Sequence, residues 1–235
     1  MSDFEPGREP VFDRYAEHYG PALARGLGVA GESQEFFAEG RIAWLRRRLA
    51  GLGVRPRRVA DFGCGVGDSI PILRRVLGAE WLLGVDISQA SLDLARSRHA
   101  DADARFTLPE ELDGERELDL IYTNGVFHHI APEARPAAVE RLVRALRPGG
   151  VLSFWENNPW SLGARLVMSR IPFDRGAKMV SASGARKLLR DCGLEIERTD
   201  FLFIFPRPLS RLRSLEPRLS RLPLGAQYQV LGRRV

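Results

Sequence analysis

The sequence predicts an α/β fold in which a mostly parallel sheet is covered by helices on both faces. Between residues 58 and 155, short apolar runs alternate with amphipathic stretches of helical spacing. This alternation is typical of crossover units in a parallel sheet. A glycine-rich turn directly follows the first apolar run, at the point where open sheets of this kind bind their ligands. The length of 235 residues suits one domain with its own core.

The elements follow in order along the chain. Ser33 is placed to cap a first helix that runs to about Leu52, because apolar residues recur there at spacings of three and four. Strands are then expected over 58–62, 81–85, 118–123 and 151–155, with a weaker strand over 104–107. Helices are expected between them over 69–77, 89–99 and 133–146. The Pro-Gly-Gly run at 148–150 separates the last of these helices from the strand at 151.

The rest of the chain completes a single predicted domain of residues 1–235. We expect an N-terminal helical arm and helix over 1–53, a cofactor-binding core over 54–156, an inserted helical lid over 157–180, and closing elements over 181–235. Within the lid, residues 173–176 (F-D-R-G) are typical of a turn between two helices. The closing elements are a helix over 181–192 and strands over 195–205 and 226–232.

Composition narrows the class of protein. A hydrophobic content of 44% with 28% charged residues is ordinary for a globular protein. No apolar run reaches the length of about 18 to 20 residues that spans a membrane. The acidic N-terminus lacks the pattern of a signal peptide, which favours a cytoplasmic location. Cys64 and Cys192 lie too far apart in sequence to indicate a disulfide scaffold.

The net charge of +5 does not by itself indicate a nucleic-acid partner, because the arginines are scattered among 30 acidic residues. We expect no nucleic-acid partner. We also expect no metal, because the only close pair of metal-binding side chains, His128 and His129, is adjacent in sequence. Adjacent side chains on a strand or helix point in different directions.

The glycine turn reads D-F-G-C-G-V-G-D over residues 61–68. A phosphate loop of nucleotide hydrolases would need a Gly-Lys-Ser/Thr ending, and no lysine is near. The dinucleotide fingerprint would need Gly or Ala at position 68, which is Asp68, an acid where the pyrophosphate would rest. Both readings are therefore disfavoured.

The remaining pattern resembles the class I S-adenosylmethionine-dependent methyltransferases. Residues 61–67 match the glycine motif of that family, and residues 83–88 (L-G-V-D-I-S) match its second motif. Residues 119–121 (D-L-I) with 124–130 (N-G-V-F-H-H-I) resemble its fourth strand and the following turn. Residues 146–152 (L-R-P-G-G-V-L) resemble the approach to its fifth strand. The family fold is a Rossmann-like, doubly wound sheet of seven strands, mostly parallel, with an antiparallel closing strand.

The resemblance implies roles for particular residues in binding S-adenosylmethionine. The glycines at 63, 65 and 67 allow the main chain to pass close to the methionine portion. Asp86 accepts hydrogen bonds from the ribose hydroxyls, and charge-assisted bonds of this kind are the stronger sort. The remaining cofactor contacts implied are Ile87 at the adenine, Asp61 and Asn124 at the methionine end, and Tyr15, Tyr19 and Arg41 at the methionine carboxylate. For the tyrosines packing is an equal alternative, and for Arg41 a surface salt bridge.

The acceptor is expected to be a small molecule, with a hydroxyl oxygen as the first choice and nitrogen or carbon as the alternatives. A hydroxyl acceptor needs a base to take its proton. The candidate bases follow the fourth and fifth strands: His129, Glu156 and, less favoured, His128. Trp155 and Trp160 either line the acceptor pocket or pack in the core. The sequence most resembles the small-molecule branch that includes quinone-biosynthesis methyltransferases.

Two other classes remain open. A binding protein on the same fold would keep the glycine turn and Asp86 without a competent acceptor pocket. A nucleic-acid or protein methyltransferase would need a broad basic groove. The Arg/Leu-rich stretch over 206–223 could touch an anionic membrane peripherally, but we favour packing of its leucines on the sheet. The oligomeric state is not indicated.

Overall fold

The computed structural model describes residues 31–100, 103–174 and 176–235, together with Asp13 and Gly28. In this part of the chain one sheet contains seven strands. Their bounds are Arg58–Phe62 (β1), Trp81–Val85 (β2), Ala104–Thr107 (β3), Leu118–Asn124 (β4), Leu146–Asn157 (β5), Leu194–Leu202 (β6) and Gln227–Arg234 (β7). The strand order is β3-β2-β1-β4-β5-β7-β6. β1 to β5 run parallel, and β7 lies antiparallel between β5 and β6. The predicted seven-stranded, mostly parallel sheet is confirmed.

Helices connect the strands as the alternating pattern predicts. Their bounds are Gln34–Gly51 (α1), Ile70–Leu77 (α2), Gln89–Arg98 (α3), Arg135–Ala145 (α4), Leu162–Arg170 (α5), Ala182–Asp191 (α6) and Glu216–Leu219 (α7). The Oγ atom of Ser33 accepts a hydrogen bond of 3.1 Å from the backbone N–H of Phe36, so Ser33 is the N-cap of α1 as expected. None of the helices described is both long and apolar enough to cross a membrane.

The core lies in two layers, one on each face of the sheet. One apolar cluster joins the sheet to α4 and α6, and the other joins it to α1, α2 and α3. The side chains of β4 alternate between the two faces of the sheet: Ile121 belongs to the first cluster, whereas Leu120 and Tyr122 belong to the second. Burial on both faces explains the near-continuous apolar sequence of the inner strands.

The register brings the carboxyl ends of the inner strands together at one edge of the sheet. Asp61 of β1 lies beside Gly84 of β2 and Tyr122 of β4. Asn124, the last residue of β4, lies beside Trp155 of β5. The polar residues that follow these strands therefore surround the glycine turn.

Two expectations for the last third of the chain are wrong. The described residues of the expected lid range 157–180 contain one helix, α5, and a single 3₁₀ turn at Pro172–Asp174, so residues 173–176 do not join two lid helices. Arg175 lies outside the described residues. In the 206–223 stretch most of the leucines are not packed on the sheet: Leu209, Leu212, Leu215 and Leu222 remain 40% to 48% exposed, and Leu219 is half-buried.

The N-terminal arm falls almost wholly outside the part of the chain that the structure describes. Tyr15 and Tyr19, the arm residues implied at the methionine carboxylate, lie outside it. Asp13 is described, and its carboxylate accepts a hydrogen bond from the hydroxyl of Ser88. The division of the chain into arm, core, lid and closing elements stays a prediction.

Candidate active site

The glycine turn after β1 has a backbone that only glycine adopts easily. Gly63, Gly65 and Gly67 all have positive φ, at +79°, +52° and +82°. A Cβ atom at Gly63 would lie 2.1 Å from Cγ2 of Val126, whereas one at Gly65 would meet no atom within 4 Å. Gly63 is therefore required by packing. Gly65 borders open space that a ligand can fill.

Asp86, which follows β2, faces this turn. Its Oδ2 atom accepts a hydrogen bond of 2.8 Å from the backbone N–H of Gly65, and its Oδ1 atom accepts one of 2.9 Å from that of Ser88. Burial raises the pKa of the carboxyl group, and the backbone N–H groups of Ser88 and Gly65 oppose that rise. Asp86 is thus held at the crevice, with Ile87 beside it in the lining.

Two connected chambers open at this edge of the sheet. The smaller one, of about 100 Å³, is lined by Asp86 and Ile87 among others. The larger one, of about 440 Å³, is lined by Arg41, Asp61 and His128 among others. Six described residues line both chambers: Gly63, Gly65, Val66, Asn124, Gly125 and His129. The two chambers therefore meet between the glycine turn and the turn after β4.

Asn124 lies at this junction and has an unpaired hydrogen-bond acceptor. Its side-chain oxygen Oδ1 is buried and has no hydrogen-bond partner among the described residues. Buried polar atoms are usually paired, so an unpaired acceptor that borders both chambers fits a ligand that carries a donor group.

Asp61 and Arg41 both line the larger chamber. Asp61 is buried, and burial together with the nearby charge of Asp86 raises its pKa to about 8, although Arg41 opposes the rise. Arg41 is also buried, so the alternative of a surface salt bridge is wrong. It donates from Nε to the hydroxyl oxygen of Tyr122 at 2.9 Å and from Nη1 to the Oε1 atom of Gln227 at 3.0 Å.

Glu156 does not face the chambers, so its expected place as a base in the cleft is wrong. Its carboxylate is buried and accepts hydrogen bonds from the backbone N–H groups of Phe127 at 2.8 Å and His128 at 3.2 Å. Its Oε2 atom lies 2.6 Å from Nδ1 of His128. Both oxygens of the carboxylate therefore contact the turn after β4 and hold it in place.

His128 is correspondingly a poor base. Burial would lower its pKa, but the carboxylates of Glu156 and Asp174 raise it to about 10. The imidazole is thus protonated at neutral pH and has no free nitrogen to accept a proton. The expected role of His128 as a base is contradicted by this arrangement.

His129 has a different environment. Its side chain is 15% exposed and lines both chambers, and its Nε2 atom lies 3.3 Å from Oδ1 of Asp174. The same carboxylate oxygen lies 3.5 Å from Nε2 of His128. Burial raises the pKa of Asp174, but hydrogen bonds from the two histidines lower it below its usual value overall.

The two histidines converge on Asp174, contrary to the expectation that adjacent side chains point apart. Their ring centroids are 4.1 Å apart, because residues 128 and 129 lie in a turn rather than on a strand or helix. The candidate ligand atoms of His128, His129 and Asp174 lie within 4.8 Å of one another, so this group could hold a divalent metal. A protonated His128 between two carboxylates also offsets one of their two negative charges without a metal. The absence of a metal stays a prediction.

The aromatic residues that line the larger chamber are not the predicted tryptophans. Trp155 packs in the core, and Trp160 is 76% exposed and lines neither chamber. The lining instead contains Phe36, Phe37, Phe173, Phe203 and Phe205. Their sequence positions carry no motif, so only the fold brings them together.

A comparison with protein families identifies the segment that carries this site. The profile described as "Methyltransferase domain" matches residues 60–152, which include the glycine turn, Asp86, Asn124 and both histidines. Residues 60–152 are thus similar to the methyltransferase domain family. The predicted resemblance to class I S-adenosylmethionine-dependent methyltransferases is confirmed at this level, and with it the predicted cofactor.

Relatives with assigned names are similar over part of their length. A trans-aconitate 2-methyltransferase of Rhodopseudomonas palustris is 30% identical over 172 residues, which are 72% of this chain and 60% of that protein. A protein of the same name from Methylobacterium nodulans is 27% identical over 199 residues, 76% of each chain. The chain spans 60% or less of the length of the first two relatives it matches. The quinone-biosynthesis branch stays a prediction.

Solved structures share the fold. A TehB-like S-adenosylmethionine-dependent methyltransferase from Corynebacterium glutamicum superposes with a TM-score of 0.61 at 20% identity, covering 94% of this chain and 98% of that one. An S-adenosylmethionine-dependent methyltransferase from Archaeoglobus fulgidus gives a TM-score of 0.57 at 18% identity, covering 86% and 100%. The predicted methyltransferase fold is thus confirmed beyond the matched domain segment.

Proposed function

We propose that this protein transfers a methyl group from S-adenosylmethionine to a hydroxyl oxygen of a small molecule, with His129 as the general base. The observation that carries the proposal is the position of His129. Among the described residues it is the only titratable side chain that lines both chambers. A base at the junction can reach an acceptor in the larger chamber while the cofactor occupies the glycine crevice.

The residues present fit the cofactor. Asp86, fixed by the N–H groups of Gly65 and Ser88, is placed to accept hydrogen bonds from the ribose in the smaller chamber. Asn124 offers an unpaired buried oxygen to a donor such as the methionine ammonium group. Asp61 lines the same chamber and would supply a negative charge to that cationic end once it ionises. Arg41 is placed beside Asp61 for the methionine carboxylate.

When bound, S-adenosylmethionine supplies an electrophilic methyl group on a sulfonium. The protein's task is to hold the acceptor in line and to remove its proton. The imidazole of His129 would take the proton of an acceptor hydroxyl held in the larger chamber, while the cofactor bound at the glycine crevice would supply the methyl group. Asp174, 3.3 Å from Nε2 of His129, stabilises the imidazolium that results.

The buried pair of Glu156 and His128 positions the proposed base, His129, through Asp174. Glu156 holds His128 through Nδ1, and His128 in turn presents Nε2 to the same Asp174 oxygen that faces His129. We assign Glu156 and His128 to positioning, because neither has a free acceptor atom in the chambers.

A carboxylate acceptor is the second candidate, since the relatives are named trans-aconitate 2-methyltransferases. A carboxylate is already ionised at neutral pH and requires no base. The two candidates therefore differ in their dependence on His129.

The test is methyl transfer from tritiated S-adenosylmethionine to a panel of phenols, alcohols, amines and carboxylic acids, with wild type and His129→Gln. The proposal expects a hydroxyl product whose formation falls by about 10²- to 10⁴-fold in the variant. Cofactor affinity, measured by calorimetry, should stay within about twofold of wild type because the ribose contacts remain. Asp93→Asn, on the exposed face of α3, is the control and should change neither value.

Other outcomes reject parts of the proposal. Carboxyl methylation that survives in His129→Gln would favour the second candidate. Tight cofactor binding with no product from any acceptor would favour a binding protein on the same fold.

A further inference from the structure

The larger chamber carries a group of aromatic side chains that the transfer chemistry does not use. Phe36 and Phe37 come from the first turn of α1, and Phe203 and Phe205 follow β6. All four are half-buried, so part of each ring remains open. We call these four residues the aromatic wall.

Three rings of the wall pack against one another at steep angles. The ring centroids of Phe37 and Phe203 lie 4.9 Å apart with an interplanar angle of 72°, and those of Phe36 and Phe37 lie 5.4 Å apart at 82°. Edge-to-face pairs of this kind are favourable and hold the rings in fixed positions. The wall is therefore a preformed surface.

The backbone of Phe203 is strained to present its ring. Its φ is +62°, in the left-handed region that non-glycine residues rarely adopt. The carboxylate of Glu216 accepts hydrogen bonds of 3.1 to 3.2 Å from the successive N–H groups of residues 203, 204 and 205, and this holds the conformation. A Cβ at Gly40 would lie 2.9 Å from the ring, so α1 leaves room for it. Strain that the surroundings maintain in this way is typical of ligand sites.

The other described groups of the larger chamber do not suit a polyanion. Four carboxylates line it: Glu32, Asp61, Asp68 and Asp174. Of the two arginines, Arg213 is paired with Glu32 at 2.9 Å and stacks on Phe36, and Arg41 lies beside Asp61 at the cofactor end. His128, which is protonated at neutral pH, lines the chamber as well, and Asp61 is mostly uncharged there. Three positive charges thus face three negative ones, so a tricarboxylate would gain no net electrostatic attraction from the lining.

Aliphatic side chains complete the chamber on the α5 side. Ala164, Val167 and Ile171 line it there, with Phe173 next to them. The ring centroid of Phe173 is 6.4 Å from that of His129, so apolar lining reaches the base itself.

From these observations we infer that the acceptor is an uncharged aromatic compound whose ring system lies against the aromatic wall and whose hydroxyl group reaches His129. This names the substrate class for the function proposed above and rests on it. The wall residues set specificity, and the lining offers a tricarboxylate no net positive charge.

Equilibrium binding to protein saturated with S-adenosylhomocysteine tests the inference without turnover. The probes are 2-naphthol, its carboxylated analogue 3-hydroxy-2-naphthoate, and trans-aconitate, titrated by calorimetry. We expect 2-naphthol to bind at least about tenfold more tightly than either anion. Phe203→Leu and Phe37→Leu should each weaken 2-naphthol binding by about 3- to 10-fold. Trp160→Leu, an aromatic replacement outside both chambers, is the matched control and should leave binding unchanged.

The variants also separate folding from recognition. Affinity for S-adenosylhomocysteine should stay within about twofold in both wall variants, and Phe37→Leu serves if Phe203→Leu does not fold. Equal or tighter binding of either anion, or 2-naphthol binding that neither wall variant weakens, would overturn the inference. Wall-dependent binding of 2-naphthol with no methylated product would support it while contradicting the proposed function.

Discussion

The imidazole of His128 and the carboxylate of Glu156 form a buried pair in which Nδ1 lies 2.6 Å from Oε2. Through this pair the end of β5 holds the turn that follows β4, because Glu156 also accepts hydrogen bonds from two backbone N–H groups of that turn. The turn presents His129 at the junction of the chambers. The pair thus connects the stability of the sheet edge with the position of the proposed base.

Replacing Glu156 with Gln should therefore cost stability. We expect the free energy of unfolding to fall by about 3 kcal/mol at pH 7, since a buried charge loses its partner. Urea titration measures this loss, and Glu80→Gln in an exposed pair with Arg57 is the control, with little change expected.

The stability lost in Glu156→Gln should decrease as the pH rises. His128 keeps its proton in the folded protein up to a pKa of about 10, whereas an unfolded histidine loses it near its ordinary value of 6.5. The stabilisation from the pair is complete below that ordinary value and declines as the pH rises toward 10. The difference between wild type and Glu156→Gln should shrink over this window. A constant difference would show that charge does not contribute.

Asp61 should couple cofactor binding to proton release. Its pKa of about 8 means that the carboxyl group is mostly protonated at neutral pH in the free protein. The cationic end of the cofactor favours the ionised form, so affinity should increase as the pH rises from about 6 to about 8. Calorimetry in buffers of different ionisation enthalpy detects the released proton. Asp61→Asn should remove both the slope and the release, and persistence of either would assign them to another group.

Alanine substitutions at Gly63 and Gly65 should distinguish a glycine that packing requires from one that borders the ligand. Gly63→Ala should cost more than about 2 kcal/mol of stability, because the new methyl group would collide with Val126. Gly65→Ala should cost only about 1 to 2 kcal/mol for its left-handed backbone and should weaken cofactor binding by filling the crevice. Thermal unfolding and calorimetry measure the two effects. Unchanged cofactor affinity in Gly65→Ala would place the ligand elsewhere.

Removal of metal ions should leave the activity unchanged. His128, His129 and Asp174 are close enough to ligate a cation, but the proposed reaction uses His129 as a general base and not as a metal ligand. Methyl transfer should therefore be the same before and after dialysis against EDTA. Loss of activity that Zn²⁺ or another divalent ion restores would instead assign the three side chains to a metal site.

The cofactor end of the site could be predicted from the sequence because its geometry is local. The bounds expected for β1, β2 and β3 agree with those in the structure, and an acid at the end of β2 must lie beside the turn at the end of β1. Burial on both faces gives these strands a strong apolar signal. Asp86 therefore lies at the glycine turn, as the spacing indicates.

The acceptor end could not be predicted in the same way because distant segments form it. Asp174 meets the histidines from a turn after α5, and Phe203 reaches the chamber from the end of β6. Tyr122 and Gln227, which bind Arg41, belong to strands that are far apart in sequence. Sequence reasoning places Glu156 in the cleft. In the structure its carboxylate instead contacts the turn after β4, because that turn packs against the end of β5.

The affinity of S-adenosylmethionine for wild type and Asp86→Ala, with Asp93→Ala as the control, decides whether the carboxylate after β2 binds the ribose. We expect Asp86→Ala to weaken binding by about 1.5 to 3 kcal/mol, since charged hydrogen bonds to the ribose are lost, while the control binds as wild type does. Equal affinity in wild type and Asp86→Ala, or tighter binding of a nicotinamide dinucleotide than of S-adenosylmethionine, would contradict this assignment.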